Sequence, residues 1–223
     1  MKLEQIIENT IKEYINESWY HGTADSREIE KLGGFNDRFM SVDYITDLDK
    51  YNQLMIKLKE TRNTNEKEYF RLLDLVGNYK KQFKYNKPIF LTDSLSVAKT
   101  YADDKRAFDY QNAEEKVYEV DVDCNKVVKI SAYGDRFRYI NIDKVKNGFI
   151  NAGVSEDEIT NLINKFNFYS NNKGIQTDVI AGIGSWLKFD CIDVMGVLDS
   201  YQGGNVKSTV RMVLNPSKIR IKK

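Results

Sequence analysis

Histidine is all but missing from this 223-residue chain; the only one is His21. Cysteine is nearly as scarce, with Cys124 and Cys191 far apart in sequence. Those counts argue against a Cys/His zinc site and exclude any catalytic scheme that needs two histidines. Few cysteines and no export-signal pattern lead us to expect free thiols and an intracellular, cytoplasmic protein. No apolar run reaches membrane-spanning length, so no membrane partner is expected. The formal net charge is only +1, which leaves no global field toward nucleic acid or lipid. No Gly-x-x-x-x-Gly-Lys phosphate loop is present. Proline occurs twice, at Pro88 and Pro216, each bordering a strand-like run. Glutamate stops at Glu158; none follows it.

What remains has the composition of an ordinary globular protein, 41% hydrophobic and 30% charged, and the length is sufficient for one sizeable core. We expect a single domain over 1–223. Leu3, Ile6, Ile7, Ile11, Tyr14 and Ile15 fall at helical spacing and predict a helix over 1–17. That helix packs as a first element or docks on a partner. Trp19–Thr23 reads as a strand, Ser26–Leu32 as a short helix stopped by Gly33-Gly34. Residues 35–46 show no clear period and read as a loop. The spacing over 47–84 predicts a helical hairpin broken at Thr61–Asn65 and ending in the basic run Lys80–Tyr85. Such a run is a solvated helix end or a phosphate or nucleic-acid contact.

Pro88–Asp93 reads as a buried strand, with Thr92, Asp93 or Ser94 capping a helix that carries Ala98, Tyr101 and Ala102. Strands are predicted at Val117–Val122, Val127–Ile130, Cys191–Val197, Ser208–Leu214 and Ile219–Ile221. Residues 135–154 are read as irregular. Late helices are predicted at 155–166, opened by a Ser155/Glu158 capping box, and at 178–187. The class is α+β, with helical insertions.

Three stretches carry chemistry. Tyr20-His21-Gly22-Thr23 delivers a histidine to a strand end beside a glycine that permits close approach of a ligand. Alone, such a histidine reads as a surface or structural residue. Ile89-Phe90-Leu91-Thr92-Asp93-Ser94 feeds a helix with Tyr101 on its second turn. Ser208-Thr209-Val210-Arg211-Met212-Val213-Leu214 leaves through Asn215-Pro216.

In that order the three stretches resemble the ADP-ribosyltransferase fold of the His-Tyr-Glu class, which is diphtheria-toxin-like and poly(ADP-ribose) polymerase-like. The resemblance is closest to domains from phage and mobile elements. It implies a split β-sandwich core over roughly 18–222, with 1–17 as an N-terminal helix and 47–84 as a helical-hairpin insertion. It implies mono-ADP-ribosyl transfer from NAD to a macromolecular acceptor, a host protein or a nucleic acid, without a metal. By resemblance, His21 and Tyr101 carry the chemistry. His21 bonds the adenosine ribose, Gly22 offers its backbone to the carboxamide, and Tyr101 stacks on nicotinamide. Thr23, Phe90, Ser94 and Tyr110 join the NAD contacts, with Phe108 the other choice for a second aromatic wall. Acceptor choice falls to 199–207 and the helical insertion.

One position departs from the family. Val210 stands where the family has its catalytic glutamate, and a valine neither stabilises a cation nor orients an acceptor. Asp193 and Asp199 are the nearest substitute acids in sequence. The alternatives are therefore an inactive NAD- or ADP-ribose-binding module, or a structural or interaction protein of the same fold.

Overall fold

The computed structural model describes residues 18–103, 115–166, 174–198 and 206–223. The expected helix over 1–17 lies outside these residues. Eleven strands lie within them: β1 Trp19–Thr23, β2 Phe39–Ile45, β3 Lys80–Asn86, β4 Ile89–Thr92, β5 Lys116–Val122, β6 Val127–Ser131, β7 Tyr139–Asn141, β8 Gly174–Gln176, β9 Cys191–Leu198, β10 Lys207–Val213 and β11 Ile219–Ile221. The helices are α1 Arg27–Leu32, α2 Leu48–Thr61, α3 Glu66–Asn78, α4 Leu95–Ala102, α5 Ile142–Asn151, α6 Glu156–Phe166 and α7 Thr177–Trp186. The α+β class holds at this level.

The main sheet has seven strands in the order β11-β5-β1-β4-β10-β9-β6. Only β6 and β9 run parallel; the other neighbours are antiparallel. Its weak seam lies between β1 and β4, which pair at one position, Tyr20↔Thr92. By contrast β1 pairs β5 at five positions. A sheet that parts in this way leaves backbone edges and side chains around the seam for a ligand.

Alternation of side chains gives each face its own core. One face of β6, β9 and β10 presents Val128, Ile130, Ile192, Val194, Val210 and Met212 to α5, α6 and α7. Val145 and Phe149 of α5, Ile159 and Ile163 of α6, and Ile180 and Ile183 of α7 are buried there. The opposite face carries Trp19, Leu91, Tyr118, Val120, Cys191 and Val213, with Ile29 and Phe35 packed against them. On that face Arg211 forks onto Asp193 at 2.6 and 2.7 Å and lies 4.1 Å over the Trp19 ring. Removing one partner of such a buried pair costs about 3–5 kcal/mol, because the other charge is left without compensation.

Three expectations are corrected. Residues 80–86 are a strand, not the end of a helix, and 39–45 are its antiparallel partner, not a loop. The period there is two: Met40, Val42 and Tyr44 alternate with Ser41 and Asp43, and Phe83 and Tyr85 with the polar Gln82, Lys84 and Asn86. The helical hairpin α2–α3 therefore caps a β-ribbon, with a small core of its own from Ile45, Tyr51 and Val76. Residues 142–151 are helical, not irregular. Asn141 caps that helix by accepting from the Asp143 and Lys144 amides, and Val145 and Phe149 are its buried stripe. Finally, Cys124 and Cys191 are not free thiols. The turn after β5 brings Cys124 beside the first residue of β9, with the two Cα atoms 6.0 Å apart and the sulfurs joined in a disulfide.

Candidate active site

The seam between β1 and β4 is bridged by one side chain. His21 Nδ1 lies 2.9 Å from the Phe90 carbonyl oxygen. A carbonyl only accepts, so Nδ1 carries the proton and donates. The bond fixes the tautomer and leaves Nε2 as an acceptor. Burial pushes the imidazole pKa below its usual 6.5, and the bond to Phe90 offsets only part of that. The ring is thus neutral at neutral pH. It meets Phe35 edge to face with centroids 4.9 Å apart, so its plane is fixed by packing as well as by the bond.

Two cavities meet at His21 and Phe90. The first, of about 400 Å³, is lined by Tyr20, His21, Gly22, Phe90, Leu91, Thr92, Tyr101, Phe137, Arg138, Thr177, Asp178 and Val210. The second, of about 300 Å³, is lined by His21, Thr23, Asp25, Glu28, Ile29, Leu32, Gly34, Phe35, Asn36, Arg38, Lys87, Pro88, Ile89 and Phe90. Strand register explains much of the first. Tyr20 pairs Thr92, Thr92 pairs Val210 and Phe90 pairs Met212, so Tyr20, Thr92 and Val210 stand side by side across three strands. The β9–β10 register slips between Ser208 and Val210, a bulge of the kind that re-aims side chains near a site. Thr209 at the bulge is held by Asp93, whose Oδ1 accepts from the Thr209 amide at 2.9 Å.

Helix α4 brings Tyr101. Ser94 caps it, its Oγ accepting from the Val97 amide at 3.3 Å. The helix sits directly on Gly22: a Cβ there would run into the Ala98 carbonyl and come within 3.1 Å of Tyr101 Cβ. The glycine is therefore required by helix packing, whatever it also offers a ligand.

The second cavity mixes charged side chains with the apolar Ile29, Leu32, Phe35, Ile89 and Phe90. Asp25 lies 2.7 Å from Arg27 Nη2, and the hydrogen bonds from Arg27 hold its carboxyl down to about 2. Glu28 is paired with Arg38 and accepts from Asn36 at 2.8 Å. Thr23 Oγ1 donates to the Asp25 carbonyl at 2.9 Å and accepts from the Asp25 amide at 3.2 Å, closing the turn after β1.

Of the residues singled out in sequence, His21, Gly22, Phe90, Tyr101 and Val210 come together around the first cavity, and Thr23 lines the second. Ser94 lines neither; its hydroxyl is spent on the helix cap. Tyr110, Phe108 and Asp199 lie outside the described residues. Asp193 is corrected as a substitute acid: it stands opposite Arg211, which lies on the other face of β10 from Val210, and is locked in that ion pair. Phe137, Arg138 and Asp178 were missed. Phe137 and Arg138 sit in a stretch without period, and Asp178 reads locally as no more than a first-turn helix acid. Only the long-range strand order brings them to the cavity.

These elements define the class: a mixed α/β protein with a two-lobed cleft opening at a seam in its main sheet. No family model, curated protein or solved structure matches the chain. The chemical reading therefore rests on the geometry. Among the described residues no cluster of three or more metal-ligating side chains occurs, and no helix is long and apolar enough to cross a membrane.

Proposed function

We propose that the protein is an ADP-ribosyltransferase of the His-Tyr-Glu class, transferring a single ADP-ribose from NAD to a macromolecular acceptor and releasing nicotinamide. One observation carries the reading. Three stretches separated by roughly 70 to 120 residues supply Tyr20-His21-Gly22, Phe90 with Tyr101, and Val210 to a single cavity. The single-pair junction between β1 and β4 supports the same reading.

The residues suit this substrate. Tyr20, Phe90, Tyr101 and Phe137 give the first cavity aromatic walls, suited to a flat cationic ring by stacking and cation–π attraction. Nε2 of His21 accepts a ribose hydroxyl, and the second cavity takes the adenosine half. Gly22, beside Tyr101, leaves backbone amide groups for the carboxamide. Holding both halves positions the scissile bond between nicotinamide and ribose.

The α2–α3 arm and the 199–207 region are the proposed acceptor-choosing surfaces, with a host protein as acceptor. NAD-induced thermal stabilisation tests binding, because a ligand that prefers the native state raises Tm by mass action. Nicotinamide release in the presence of cell lysate tests transfer. Stabilisation without release leaves the second reading, an NAD-binding module, which Val210 in the glutamate's place favours. A cytoplasmic location belongs to the same proposal. The Cys124–Cys191 pair pulls against it, since disulfides persist mainly in oxidising compartments. Alkylating the thiols during cell lysis decides: a reduced pair fits the cytoplasm, an oxidised pair removes that part of the proposal.

A further inference from the structure

Resting on the transferase reading, we infer that Asp178 supplies the carboxylate that Val210 cannot. Asp178 and Val210 line the same cavity as Tyr101. Asp178 is the one acidic residue among the described residues lining that cavity. It occupies the first turn of α7. Its main-chain carbonyl is engaged, accepting from the Tyr85 hydroxyl at 2.8 Å; this anchors the start of the helix on β3. Its carboxylate has no hydrogen-bond or ion-pair partner among the described residues, and the residue is exposed. Asp193, by contrast, is consumed by Arg211. The cavity thus offers aromatic walls, one cation in Arg138 and one uncommitted acid.

The step balances without a further reactant. The bond between ribose C1′ and the nicotinamide nitrogen breaks, and its electron pair stays with nicotinamide, which leaves neutral. Positive charge grows on the ribose and is stabilised by the Asp178 carboxylate. The acceptor's nucleophilic atom forms the new bond to C1′, and its proton passes to Asp178 and then to water. Helix α7, not β10, delivers the acid, so a family position filled by valine is compatible with turnover.

The test follows nicotinamide release from NAD, with water and with lysate as acceptor, alongside NAD-induced thermal stabilisation. Asp178→Asn keeps the shape and tests the charge. Its release rate is expected to fall on the order of 100-fold or more, far more than any loss of NAD stabilisation; Asp178→Glu is expected to keep most of the wild-type rate. An Asp178→Asn protein that works at the wild-type rate overturns this inference and leaves the transferase reading standing. A wild-type protein that binds NAD but never releases nicotinamide overturns it too, in favour of the binding module. A wild-type protein that neither binds nor cleaves NAD removes the transferase reading itself.

Discussion

The two cavities that meet at His21 and Phe90 share those two residues and no others. One is built from sheet side chains and the α4 and α7 helices, and its walls are aromatic. The other is built from the turn after β1, helix α1 and the start of β4, and its two acids are already paired, Asp25 with Arg27 and Glu28 with Arg38. The first holds an uncommitted carboxylate; the second holds neutralised ones. That difference suits a ligand with a flat cationic end and a polar, hydroxyl-rich end. It also separates roles. On the transferase proposal, the aromatic lobe holds the charges of bond-breaking, and the other lobe collects binding energy far from the reacting atoms.

Substitutions can break this division. The largest effect is expected from Gly22→Ala, because the new methyl meets helix backbone that cannot move alone. Overpacking of this kind costs about 3 kcal/mol, a fall in Tm of roughly 10 °C, measurable by thermal unfolding. Because Gly22 lines only the aromatic lobe, nicotinamide binding should be lost with it. An unchanged Tm shows that α4 does not sit on β1 as described.

Tyr101→Ala is expected to weaken NAD and nicotinamide about tenfold while leaving ADP-ribose near its wild-type affinity, by calorimetry. Arg38→Ala should do the reverse and by less, a two- to threefold loss for NAD and ADP-ribose, since an exposed ion pair contributes little. His21→Ala, at the junction, should weaken all dinucleotide ligands about fivefold. Equal losses for every ligand in Tyr101→Ala and Arg38→Ala would show one undivided cleft.

How far the chain reveals this in advance depends on the range of the interaction. His21, Gly22, Phe90 and Tyr101 are legible because each sits on a short strand or a helix turn with a local pattern. Asp178 is not legible, because nothing near it in sequence says that α7 starts beside β10. The ribbon of β2 and β3 was readable in principle from the alternation of Met40, Val42 and Tyr44 with polar neighbours. The strong helical period of α2 and α3 masks it, and lysines in β3 imitate a solvated helix end. Ser94 shows the opposite failure: the residue type was right for a cap and for a ligand contact, and the cap took the hydroxyl. The disulfide was hidden by the separation of 67 residues between its cysteines, closed only by β6 pairing parallel to β9.

The smallest expected effect is a pH dependence that belongs to the junction. Burial lowers the His21 pKa in the folded protein below the 6.5 of the unfolded chain. Between those two values the unfolded chain holds the proton more readily, so stability rises with pH across that window. The contribution is fully present above 6.5 and is lost as pH falls through the lowered pKa. Protonation also turns Nε2 from acceptor to donor, so it can no longer accept a ribose hydroxyl, whereas Nδ1–H keeps its bond to Phe90. Affinity for NAD and for ADP-ribose should therefore fall together on acidification below 6.5, and nicotinamide affinity should stay flat over the same range. His21→Gln keeps a hydrogen-bonding side chain without the titration and should flatten the NAD profile. A profile that remains steep in His21→Gln assigns the titration to another group and takes His21 out of the ligand's path.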